Sequence, residues 1–145
     1  MEPIRLIHGI SELRGTCYFE FLPGEYKEKC WNDESVFLIE ETFALIEPII
    51  SRHEREFDHY SFVGIRRPIW EGIIQDLKGL AIQVEGASSI DDIRGKVDFF
   101  FTTSEEEFAK EFKSNANAFA KVIRELVAWL REQLETHECV SILGL

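Results

Sequence analysis

The sequence predicts an α+β domain, with three long helices packed on a small, mainly antiparallel sheet, and three observations carry that prediction. From Asn115 to His137, Phe119, Val122, Ile123, Leu126, Leu130 and Leu134 recur at steps of three and four, drawing one apolar stripe along a 3.6-residue helix. From Gly15 to Leu22, Cys17, Phe19 and Phe21 alternate with Tyr18 and Glu20, the period of a strand. Segments of the two kinds alternate unevenly, giving three or four strands and three long helices, which points to helices covering one face of an antiparallel sheet.

In chain order, Ile4 to Ile10 and Gly15 to Leu22 read as a strand pair joined around Ser11 to Arg14. Pro23-Gly24 is a turn signal and Glu25 to Trp31 a charged connection, with Trp31 expected in the core because it directly precedes a helix start. Asn32 or Asp33 is the expected cap of that helix. Val36, Ile39, Phe43, Ile46 and Ile50 form one face, and Phe37, Leu38, Ala44, Leu45 and Ile49 widen it, so the helix is expected to be buried on more than one side, with Glu40, Glu41 and Glu47 on the exposed remainder. Pro48 has no N–H and clashes with the carbonyl four residues back, so a kink or an end is expected near Glu47.

Ser51 to His59, the most polar stretch, reads as a solvated connection to a strand over Tyr60 to Ile65. Pro68 suits a first helical position, and Ile69, Trp70, Ile73, Ile74, Leu77, Leu80, Ala81 and Val84 keep helical spacing, with Gly79 a candidate end. Gly86 to Gly95 is a loop with room for one helical turn after Ser88 or Ser89. Lys96 to Thr102, with Val97, Phe99 and Phe101 on one face, is patterned as a strand in the sheet interior. Ser104 and Glu107 form a capping-box pattern that opens a helix through Phe108 and Phe112, and Ser114 to Asn117 either breaks it from the last helix or passes into it. Cys139 to Leu145 is apolar enough for an added strand or a docked tail.

A chain of 145 residues with 45% hydrophobic content and no dividing linker is expected to form a single domain over residues 1–145. No apolar run approaches the roughly 18 residues that span a bilayer. Glu2, Pro3, Arg5 and His8 interrupt what would be the apolar core of a signal peptide, so a cytoplasmic location is expected. Cys17, Cys30 and Cys139 are odd in number and widely spaced, which suggests reduced thiols.

Sixteen Lys and Arg against 27 Asp and Glu leave a net charge of −11. Nucleic acid and anionic lipid are disfavoured as partners, because binding to either is driven by basic side chains. A basic protein is what this field attracts, although acidity also serves solubility.

Candidate chemistry is sparse. His53, Glu54, Glu56, Asp58 and His59 lie together, but the two His are six apart, whereas a zinc-protease helix sets them four apart around a Glu. Glu56 and His59 have the spacing used in di-iron bundles, without the second copy and two further helical Glu that those need. No Cys lies in a pattern that activates a thiol, and no nucleophile elbow, phosphate loop or dinucleotide fingerprint is present. The expectation is therefore no metal, no cofactor and no enzyme. Arg66-Arg67 before a helix start opposes the helix dipole and needs a compensating acid, a bound anion or a partner's acid.

In size, acidity, expected cytoplasmic character and lack of a catalytic signature, the chain resembles the immunity proteins that neutralise toxin domains of bacterial contact-dependent growth inhibition and related polymorphic toxin systems. The resemblance is one of class and rests on no motif. It implies a cognate toxin domain as partner, often a nuclease whose phosphate-holding site is basic and can be blocked by carboxylates. Glu54, Glu56 and Asp58 are the first candidates for partner binding, then Asp91 and Asp92, because both groups fall in connections rather than on apolar faces. Glu105 to Glu107 are helix-start charges. Two other classes fit the same sequence. One is a small enzyme or ligand binder with a pocket between sheet and helices, the other a homo-oligomeric subunit using the apolar C-terminal tail or a helix face.

Overall fold

A computed structural model of the chain describes residues 2–145. Strands β1 (Ile7–His8), β2 (Tyr18–Pro23) and β3 (Val36–Ile39) lead into helix α1 (Glu40–His53). Strand β4 (Phe62–Arg66) leads into α2 (Arg67–Gly86), and a 3-10 turn at Ile90–Asp92 precedes α3 (Thr102–Lys110), α4 (Phe112–Leu134) and β5 (Cys139–Leu143). The five strands form one antiparallel sheet in the order β1-β3-β2-β5-β4, so the fold is α+β. No helix among the described residues is long and apolar enough to cross a membrane.

Alternation along the strands divides the sheet into two faces. Phe19, Phe21, Val36, Leu38, Ile65, Val140 and Ile142 enter the main core with Phe43, Ile46 and Ile50 of α1, Trp70, Ile73 and Leu77 of α2, and the α4 stripe. The α4 stripe is the one its sequence predicts, with Phe119, Val122, Ile123, Leu126, Leu130 and Leu134 all buried. The other face is covered by residues 24–35, which cross it as a strap. The strap hangs on Glu20, whose carboxylate is 2% exposed and accepts from Trp31 N (2.6 Å), Asn32 N (3.0 Å), Asn32 Nδ2 (2.9 Å) and Ser35 Oγ (2.6 Å).

Several expectations are corrected. The first two strands do not pair, because β3 lies between them, with Ile7 opposite Phe37 and Phe19 opposite Leu38. The helix expected from Asn32 or Asp33 starts only at Glu40, and Val36–Ile39 is a strand. A short apolar run carries no period of its own. What looked like one very wide helical face is a strand buried on both sides, with Phe37 joining Ile7 and Leu13, followed by a shorter helix that is itself buried on more than one side, at Thr42 to Ile46, Ile49 and Ile50. Pro48 does not end α1, which runs through it to His53 with Ile46, Ile49 and Ile50 buried around it.

Gly79 does not end α2, which continues to Gly86. Gly72 in that helix has a packing reason, since a Cβ there would lie 2.8 Å from Cε1 of His53. Residues 96–102 are not a strand. One bridge joins Arg94 to Val97, Phe99 packs edge-on against Phe108, and Phe101 is 51% exposed. The break before the last helix falls at Glu111, ahead of Ser114. Ser104 caps nothing, its hydroxyl donating instead to Glu41 of α1. Trp31 lies in the strap with its ring partly exposed, not in the core.

Candidate functional site

The acidic stretch after α1 folds into a compact turn. Glu54 N donates to Ile50 O (2.8 Å) as the helix ends, and Phe57 N donates to Glu54 O (3.1 Å). Glu56 N donates to Glu54 Oε1 (3.2 Å), Tyr60 N to Asp58 Oδ1 (2.7 Å) and Ser61 N to Asp58 O (3.0 Å). The Asp58 contact is the self-capping turn that short acidic side chains favour. Phe57 fixes the turn from below, its ring 5.7 Å from that of Phe43. Glu56 and Asp58 are exposed and Glu54 half-buried. Among the described residues, no Lys, Arg or His pairs with any of the three.

His59 pins this turn to the body of the protein. Its Nδ1 lies 2.9 Å and 3.1 Å from the two carboxylate oxygens of Glu47, and its Nε2 lies 3.0 Å from Glu40 Oε2. Its ring meets Phe19 edge-on at 4.8 Å and stacks on Phe100 at 5.5 Å, and its carbonyl accepts from Leu145 N (3.2 Å). Two ring nitrogens that each face a carboxylate both act as donors in the imidazolium form. Burial pushes the His59 pKa down, but hydrogen bonds to Glu40 and Glu47 outweigh it and hold the pKa above the usual histidine value.

Glu40 and Glu47 are therefore not on the exposed remainder of α1. They stand seven residues apart, two turns along one helix face, and their side chains are only 13% and 22% exposed. That spacing is visible in the sequence, but a histidine beyond the helix end completes the cluster, and only the return of the chain brings it there.

A pH dependence follows, and its sign is fixed by the raised folded-state pKa. Stabilisation by His59 is fully present below the unfolded histidine pKa of about 6.5 and is lost as pH rises through the higher folded value. His59→Gln is expected to cost about 1.5–3 kcal/mol near pH 6, the range for hydrogen bonds to charged groups. The gap between the urea unfolding midpoints of wild type and variant should narrow as pH rises through the folded value, and a gap that widens with pH would contradict the clamp.

Asp91 and Asp92 lie in the 3-10 turn beyond α2, and among the described residues no hydrogen bond or ion pair links them to the first group. Asp91 pairs with Arg94. Asp92 accepts from Ser88 N (2.8 Å) and Ser89 N (3.3 Å), and these backbone hydrogen bonds hold its carboxyl below the usual range. Both charges are engaged locally. Arg67 is likewise compensated from within, donating to Leu134 O (2.9 Å and 2.6 Å) and His137 O (3.0 Å) at the end of α4 and pairing with Glu138.

An open groove of about 840 Å³ lies between α2 and α4, lined by Arg67, Glu71, Gln75, Arg131 and Glu135. Histidine–carboxylate contacts occur at His59 and at His53, whose Nε2 is 2.6 Å from Asp76 Oδ2, and Asp76 lines a second groove of about 350 Å³ with Arg52 and Gln75. That hydrogen bond lowers the Asp76 pKa. The thiols of Cys30 and Cys139 are pushed up, chiefly by burial. Among the described residues, no group of three or more His, Cys, Asp or Glu is arranged to hold a metal ion.

No family model, curated protein or solved structure matches the chain. Function therefore rests on this geometry. The border of the acidic turn, missed in the sequence, is aromatic. Tyr60 is 69% exposed directly after Asp58-His59, and Phe62 beyond it is exposed and packs edge-on against Tyr26 at 4.8 Å.

Proposed function

We propose that the chain is an acidic protein-binding module that neutralises a basic partner, as the resemblance to toxin immunity proteins implies, with the turn Glu54–Asp58 as its binding element. The observation that carries this reading is the pairing of three uncompensated carboxylates with an exposed aromatic, on a turn that His59 clamps from behind. A rigid turn loses little conformational freedom on binding. Carboxylates held this way take the positions that phosphates occupy in a nucleic-acid-cleaving site, and a field of −11 speeds the approach of a cationic surface. Tyr60 supplies the desolvated anchor that sets the rate of departure.

The test uses the toxin domain encoded beside this chain's gene, or the basic protein that co-purifies with the chain from its host. Glu54→Lys, Glu56→Lys and Asp58→Lys together are expected to slow association by about 10- to 1000-fold at low salt and to leave the unfolding midpoint near that of wild type. Tyr60→Ala is expected to act mainly on dissociation, at about 30-fold for a hot-spot loss of 2 kcal/mol. A complex whose association rate ignores both the triple reversal and added salt would refute the proposal.

A further inference from the structure

The two edges of the sheet are unequal. At one end β1 has two residues, too short to template anything, whereas at the other β4 has five, with no proline, no lysine and no bulge among Phe62, Val63, Gly64, Ile65 and Arg66. Ser61 O accepts from Gly144 N and Arg67 N donates to Glu138 O, which sets the alternation of the β4–β5 ladder. Residues 61, 63, 65 and 67 turn their backbone groups toward β5, and Phe62, Gly64 and Arg66 turn theirs outward. The Arg66 carbonyl, at the N-cap of α2, serves the first turn of that helix.

We infer that this edge pairs with the same edge of a second copy, antiparallel about a twofold axis through Gly64. The register is self-complementary. Gly64 of each copy exchanges both backbone hydrogen bonds with its counterpart, and Arg66 N–H of each donates to the Phe62 carbonyl of the other. On the strap-covered face the same register sets the Arg66 guanidinium of one copy against Phe62 of the other, a ring that lies beside Tyr26 and is 44% exposed. That is a cation over an aromatic pair, made twice. Among the described residues, no hydrogen bond or ion pair engages the Arg66 guanidinium within its own chain.

The other two routes to self-association, through the C-terminal tail or a helix face, place the contact elsewhere. The tail is not free for that role, because it is β5, hydrogen-bonded on both sides. The β4 pairing is independent of the proposed acidic turn, and salt separates the two. Two chains of −11 repel each other at long range, so the dimer tightens as salt rises, whereas a complex with a basic protein weakens.

Sedimentation equilibrium of the full chain over a dilution series tests this. The expected result is a dimer of twice 16.9 kDa at high concentration, favoured by added salt. Gly64→Pro removes an outward N–H without touching the β5 ladder and is expected to abolish the dimer. Gly64→Ala is expected to keep it, since a Cβ there meets Ser141 Oγ at 3.5 Å. Arg66→Glu, which leaves every β4 backbone group in place, is expected to weaken self-association about tenfold through loss of two cation–π contacts. A mass of 16.9 kDa at every concentration overturns the inference, as does a dimer unaffected by both Gly64→Pro and Arg66→Glu.

Discussion

Deleting residues 139–145 is expected to leave a chain with no cooperative unfolding transition. These residues contain β5, which lies between β2 and β4, with Phe21 opposite Ile142 on one side and Val63 opposite Ile142 on the other. All five residues of β5 are buried, and Val140, Ile142 and Leu143 are at most 2% exposed. Burial of three such side chains stabilises by about 1.5–3 kcal/mol each. Their sum is comparable with the roughly 5–15 kcal/mol by which a whole domain is stable. Removal also opens two strand edges in mid-sheet and takes away the Val140 carbonyl that accepts from Trp70 Nε1 at 3.1 Å. The acidic turn is released as well, because Ser61 O and His59 O lose Gly144 N and Leu145 N. Circular dichroism through a urea titration reads the outcome, and a single sharp transition in the shortened chain would show that β5 is an accessory strand.

The same strand marks where the sequence could be read and where it could not. Cys139 to Leu145 is legible as an apolar segment, yet nothing local distinguishes a central strand from an edge strand or a tail, since its place depends on β2 and β4, both far away in the chain. The α4 stripe was legible because a long helix carries its own period over six turns. The Val36–Ile39 run was not, because four apolar residues carry no period, and its pairing with Tyr18–Phe21 overrode helical propensity. Phe99 to Phe101 misled in the opposite sense. Their alternation with Asp98 fits a strand, but the rings are spent on His59 and Phe108 from irregular backbone.

For the candidate site, Glu54, Glu56 and Asp58 were legible as charges outside any apolar face. The clamp behind them was not, because Glu40 and Glu47 looked like ordinary surface acids until His59 came back over them. Asp91 and Asp92 were legible by the same rule as the first group. Asp91 differs from that group in pairing with Arg94, whereas Asp92, like Glu54 and Asp58, accepts from backbone N–H groups.

Glu20→Ala is expected to destabilise the domain by about 3–5 kcal/mol, since a buried donor left without an acceptor costs about 1–3 kcal/mol and several lose theirs together. In the wild type, two backbone N–H groups, one amide and one hydroxyl converge on a single carboxylate that is almost fully enclosed. Alanine removes every acceptor at once and leaves the donors beneath the strap. Two strap residues add to the loss, since Glu28 and Trp31 sit at φ of 66° and 62°, a region non-glycine residues hold only under constraint. Without Glu20 nothing compensates that strain, so the strap is expected to detach, exposing Phe37, Leu22 and Leu143. Trp31 emission should shift to the red as its edge-on contact with Tyr18 at 6.1 Å is lost, and Cys30 should react faster with a thiol reagent. Glu20→Gln keeps one acceptor oxygen and should fall between the two. The acidic turn is fixed from α1 through His59 and not from the strap, so folded Glu20→Ala should still bind a basic partner with wild-type association kinetics. An unfolding midpoint unchanged from wild type would mean that the strap is held by its aromatic contacts and not by the carboxylate beneath it.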